Sequence, residues 1–175
     1  MKKKISVLIM AFVLVVAFSA IGVFADSATF GTAKPDGNEQ KIETAAMNLV
    51  TQTKAGKYKL VNTATLHKWV TKGTKMVLID TMPADSFAKQ HIPGAVNVTV
   101  PMTTKEFTSA QKKALIKAAG KNKKARIVVY CGFVGCPRSD YGAAYLVKKG
   151  YKKVYRQPGG LAAWLDAGYE LVASK

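Results

Sequence analysis

The chain has 175 residues, 49% of them apolar, which is enough for one domain with a packed core once any leader is set aside. Its formal charge is +17, from 27 basic and 10 acidic residues, and only Arg126, Arg138 and Arg156 are arginines. The lysines are scattered rather than grouped with arginines and aromatics, which argues against nucleic acid as a partner and for a solvated basic surface that attracts small anions or an anionic envelope surface.

Residues 1–25 begin with Lys2, Lys3 and Lys4, continue in an apolar run from Ile5, and end with small residues up to Ala25. That is the layout of a secretory signal cleaved after Ala25. The run is also about long enough to span a bilayer, so an uncleaved membrane anchor is the alternative. Either way the expected location is outside the cytoplasm, periplasmic or extracellular, with membrane contact only if the leader stays attached. From Asp26 to about Asn38 the chain is small and polar, with Pro35 and Gly37, and reads as a tether. Residues 26–57 are expected to be this linker plus a helical extension from Glu39 to Lys54, where Ile42, Ala45, Ala46, Leu49 and Val50 recur at helical spacing.

The domain proper is expected over residues 58–175. A short strand ends near Val61, and a helix capped by Asn62 or Thr63 runs to Gly73 with Leu66, Trp69 and Val70 on its inner stripe. "KMVLID" is a compact apolar run closed by Asp80, as strands buried on both faces are. A short helix from Pro83 to Lys89, the turn "HIPGA", a strand "AVNV" and a lysine-rich helix around Leu115 and Ile116 follow. "ARIVVYC" is the second apolar strand, and a helix from about Ser139 to Lys149, the strand "KKVYRQ" and a final short helix complete the chain. Strands alternating with helices predict an α/β fold with a doubly wound, mainly parallel sheet and helices on both faces. In such sheets sites form where the carboxyl ends of strands meet helix N-termini, and Cys131 stands at such a junction.

The loop there is Cys131, Gly132, Phe133, Val134, Gly135, Cys136, Pro137 and Arg138. Two glycines allow backbone amides to turn inward, and the following helix adds its unpaired N–H groups, an arrangement that holds anions and favours a thiolate at Cys131. A buried inert cysteine and a redox disulfide are the competing readings. A bridge between Cys131 and Cys136 would close only a tiny loop, so its role would be redox chemistry rather than support. No metal is expected, because His67 lies in a helical stripe and His91 in a proline turn.

The segments "VLIDTMPADSFAKQHIPGAVNV", "RIVVYC" with its loop, and "GYKKVYRQPGGLAAWLDAGYEL" resemble, in order, the signature regions and active-site loop of the rhodanese, or sulfurtransferase, family. The resemblance covers roughly Tyr58 to Val172. It implies a sulfurtransferase without a cofactor, in which Cys131 takes a sulfane sulfur from a thiosulfate-like anion as a persulfide and yields it to cyanide, a thiol or a protein acceptor. Gly132, Phe133, Val134, Gly135, Cys136, Arg138 and Ser139 would then wrap the sulfur and its donor, with the Arg138 fork on an oxygen edge or paired with Asp140 or Asp80. Asp80 and His91 resemble scaffold, the one capping the segment after Met82, the other hydrogen-bonded within its turn.

Seven residues separate Cys131 from Ser139, where many relatives have five, and Met82 and Gln90 replace an arginine and a glycine common in the first signature. The larger loop admits a donor other than thiosulfate. It also brings in the phosphatases and arsenate reductases of this fold, which resemble C-x5-R, although here six residues precede Arg138. Cys136 adds further alternatives: it resolves the Cys131 persulfide, releasing sulfide and leaving a disulfide that a reductant reopens, or the pair is a thiol-disulfide device with no sulfur transfer. A sulfur carrier whose acceptor is a protein is a separate reading.

Overall fold

The apolar runs Met76–Ile79 and Ile127–Tyr130 offer little to turn toward water, and they form the centre of the sheet. In the computed structural model, which describes residues 37–174, the elements are α1 (Glu39–Gly56), β1 (Lys59–Leu60), α2 (Thr63–Thr71), β2 (Val77–Asp80), α3 (Ala84–Lys89), β3 (Ala95–Asn97), α4 (Ser109–Ala119), β4 (Arg126–Tyr130), α5 (Arg138–Lys148), β5 (Lys153–Gln157) and α6 (Gly160–Asp166). The expected leader and most of the expected tether lie outside the described residues. None of the helices described is long and apolar enough to cross a membrane.

The sheet order is β1-β5-β4-β2-β3, with every neighbouring pair parallel. Alternate residues of the central strands feed two cores. Ile79, Ile127 and Val129 meet Leu115 of α4 and Leu146 of α5, whereas Leu78, Val128 and Tyr130 meet Leu66 of α2 and Trp164 of α6. Helices therefore cover both faces, as the alternation of elements predicts.

Helix starts are set by local chemistry. The Asn62 side chain accepts from the Thr65 amide at 2.8 Å, and Thr108 forms a reciprocal capping box with Gln111. α1 departs from its periodic stripe: Ile42 and Val50 are exposed, and the helix meets α5 near its own end. A Cβ at Gly56 would overlap the Tyr58 ring and press on Ala144 of α5, so glycine permits that approach.

Register aligns the strand ends. Asp80 of β2 lies opposite Tyr130 of β4, which lies opposite Gln157 of β5. The next residue along β4 is Cys131.

Candidate active site

Cys131 leaves the sheet between two clamps. Its carbonyl accepts from the Leu161 amide at 3.0 Å, and that of Gly132 accepts from the Ala162 amide at 2.8 Å, so the first turn of α6 holds the loop's entry. A side chain at Gly160 would strike the Cys131 carbonyl and the Gly132 backbone, and its φ of +62° independently favours glycine. Gln157 fixes that turn, accepting from the Gly160 amide at 2.7 Å while its Nε2 donates to Thr63 Oγ1 at 2.8 Å.

The exit is held by a buried cation. Arg156, fully buried on β5, donates through Nη2 to the carbonyls of Cys136 at 3.1 Å and Val134 at 3.4 Å. Its Nε donates to Ser139 Oγ at 2.9 Å, and its Nη1 to Gln52 Oε1 of α1 at 2.6 Å and to the Tyr58 hydroxyl at 3.2 Å. Tyr58 in turn donates to Asp140 Oδ1 at 2.7 Å. The guanidinium is thus saturated with oxygen acceptors, with a carboxylate one hydroxyl away, which is the condition for tolerating a buried charge. Burial, then the bond to Asp140, pushes the Tyr58 phenol up to about 12, against the opposing pull of Arg156. Burial also raises the Asp140 carboxyl, opposed by the Tyr58 bond and by Arg156.

Between the clamps, Cys131 and Cys136 are joined by a disulfide, their Cα atoms 6.3 Å apart. Both side chains are buried, whereas Phe133 and Val134 at the loop tip are 57% and 38% exposed. The Cys136 amide donates to the Phe133 carbonyl at 3.0 Å and closes the turn that folds one cysteine onto the other.

The structure separates the residues expected to line the site. Gly132 borders an open depression of about 350 Å³ together with Met82, Ser86 and Lys89 of the α3 region and Leu161, Ala162 and Leu165 of α6. Gly135 faces a second depression shared with α1, lined by Gln40, Lys41 and Asn48 among others. Two expectations need correction. Ser139 does not wrap the loop's contents, because it is buried beneath them with its hydroxyl on Arg156. Arg138 neither reaches into the loop nor pairs with Asp140 or Asp80: as the first residue of α5 it turns toward the segment after β3, donating to the Val100 carbonyl at 2.9 Å and contacting Met102 Sδ at 3.2 Å. Asp80 accepts from the Met82 amide at 2.7 Å, and His91 bonds the Phe87 carbonyl through Nδ1 at 2.8 Å while stacking on that ring, the scaffold roles expected of both. No group of three or more His, Cys, Asp and Glu side chains able to hold a metal occurs among the described residues.

Sequence reasoning passed over Arg156, Gln157, Tyr58 and Gln52. The available signal was Arg156 and Gln157 ending a strand whose β4 neighbour is apolar from Ile127 to Val129: charge in a buried strand demands partners.

Residues 62–167, more than half of the chain, match the family model described as "Rhodanese-like domain". The chain belongs to that family. Curated relatives of this rhodanese domain include the tRNA uridine(34) hydroxylase of Bordetella parapertussis, 28% identical over 112 residues, or 64% of this chain and 44% of that protein. Another is the Arabidopsis thaliana protein HIGH ARSENIC CONTENT 1, mitochondrial, 30% identical over 52% of this chain and 53% of that one. The chain thus spans about half the length of the curated relatives it matches. Among solved structures, the thiosulfate sulfurtransferase of Pseudomonas aeruginosa superimposes with a TM-score of 0.56 at 18% identity, over 70% of this chain and 22% of that one. The polysulfide-sulfur transferase of Wolinella succinogenes gives 0.55 at 17% identity, over 81% and 96%. These structures share the rhodanese fold. Family membership and a shared fold are what these comparisons show.

Proposed function

We propose that this protein is an exported sulfurtransferase whose working nucleophile is Cys131 once the bridge to Cys136 is reduced. The observation that carries this reading is the position of Cys131 in a family-matched chain: first residue after the central strand, backbone pinned by α6, and next to Gly132 at the depression that holds Lys89. A small anionic donor of the thiosulfate type would approach there, attracted by Lys89 and the basic surface. The Cys131 thiolate attacks its outer sulfur, becomes a persulfide and releases the remaining anion. A thiol, cyanide or a protein cysteine then takes the sulfane sulfur. The leader layout of residues 1–25 supports placing this chemistry outside the cytoplasm.

A thiol-disulfide role is the second reading, favoured by the bridge itself. Phosphatase or arsenate-reductase chemistry has less support, because the arginine it would require at the cradle is turned onto Val100 and Met102.

The test is mass spectrometry of the reduced, desalted protein after exposure to thiosulfate or polysulfide, on a Cys136→Ser background that retains the adduct. The expected result is a gain of about 32 Da, one sulfur atom, mapped to Cys131 and lost in the Cys131→Ser, Cys136→Ser double variant. Absence of the adduct with both donors, alongside turnover of a phosphate ester, would overturn the reading.

A further inference from the structure

The bridge links the residue that would carry sulfur to a neighbour in the same loop, and its chemical consequence is a second activity. We propose that Cys136 makes the protein a sulfane-sulfur reductase: it attacks the Cys131 persulfide, expels hydrosulfide and leaves the disulfide seen in the structure. This rests on the sulfur-transfer reading of Cys131.

Three observations carry the proposal. Cys136 is brought to the Sγ atom of Cys131 itself, which in the persulfide is the inner sulfur. Attack on the outer sulfur would merely move the sulfane to Cys136, whereas attack on the inner one breaks the Cys131 Sγ–sulfane bond and frees sulfide. The approach is also built into the backbone. The Cys136 amide on the Phe133 carbonyl closes the turn, and the buried Arg156 holds the Cys136 carbonyl, so main-chain contacts present the second cysteine to the first. The Cα separation of 6.3 Å falls within the span that a disulfide bridges. Finally, both cysteines are buried while the tip at Phe133 and Val134 is exposed, so the internal thiol has the advantage of proximity over an acceptor arriving from solution.

The balance is simple. With thiosulfate, the Cys131 thiolate forms an S–S bond to the sulfane sulfur as the bond to sulfite breaks. The Cys136 thiol then loses its proton and bonds to Cys131 Sγ, and the sulfane sulfur leaves with that proton as hydrosulfide. The sulfane sulfur gains two electrons and the cysteine pair loses two. A dithiol reductant from outside the domain reopens the bridge by exchange, becoming a disulfide itself, and closes the cycle.

The experiment uses reduced, desalted full-length protein under anaerobic conditions, with thiosulfate and with polysulfide as donors. Released sulfide, the protein's mass and its free thiols are followed in a single turnover. Wild type is expected to release one equivalent of sulfide per chain, lose both thiols and keep no added sulfur. Cys136→Ser and Cys136→Ala are expected to lose sulfide release and retain the added sulfur on Cys131. The reduced wild type lacks the bridge too, so a circular-dichroism melt against it separates loss of chemistry from loss of fold. A wild-type protein that holds a stable persulfide and both remaining cysteine sulfurs, with no sulfide, would overturn the proposal and leave sulfur transfer intact. No added sulfur on the folded variants and no sulfide from wild type would overturn both.

Discussion

Asp80 shows how one residue can serve the scaffold at a cost. Its Oδ1 accepts from the Met82 amide and the carboxylate lies against the Tyr130 hydroxyl, but burial outweighs both and raises the carboxyl above its ordinary value. A carboxyl raised on folding binds its proton more readily in the native state, so stability falls as pH rises from the ordinary carboxylate value through the raised one. Asp80→Asn keeps the acceptor and removes the charge. Melting temperatures across pH 4 to 7 should show the variant gaining on wild type as pH increases; a constant difference would refute the assignment. Residues of this kind were legible as types and not as partners. Asp80 and His91 read correctly as scaffold from their motif, whereas Arg138 and Ser139 did not, since a side chain's direction at a helix start depends on what packs beside it, here Val100 and Arg156.

At the scale of elements, the strand ends read well and the connections between them less so. Apolar runs and caps are local signals, so all five strands and the helices between them follow from the chain's own periodicity. The exit clamp is different, because it joins Gln52, Tyr58, Ser139, Asp140 and Arg156 from three stretches distant in sequence. Removing the guanidinium should therefore loosen the loop before it loosens the sheet. Arg156→Met leaves several oxygens without their donor, and a destabilisation of about 3 kcal/mol is expected from breaking such a buried network. In the reduced protein, alkylation of Cys136 should accelerate more than the stability loss alone explains. If Cys136 alkylates at the wild-type rate in the folded variant, Arg156 does not position it.

For the whole molecule, charge matters more than shape. The formal +17 makes association with a small anion sensitive to salt, since screening shortens from about 30 Å at 0.01 M to about 3 Å at 1 M. Persulfide formation with thiosulfate should slow as ionic strength rises across that range, while alkylation of Cys131 by a neutral reagent should not. Equal salt dependence of the two would remove electrostatic attraction from the account. A further consequence concerns where the domain can be cut. The family match begins at residue 62, yet Gln52 and Tyr58, which hold Arg156, precede it. A fragment trimmed to the matched range would retain both cysteines and forfeit part of their anchoring, since the contacts that hold the loop reach back into α1, upstream of the boundary that kinship alone would draw.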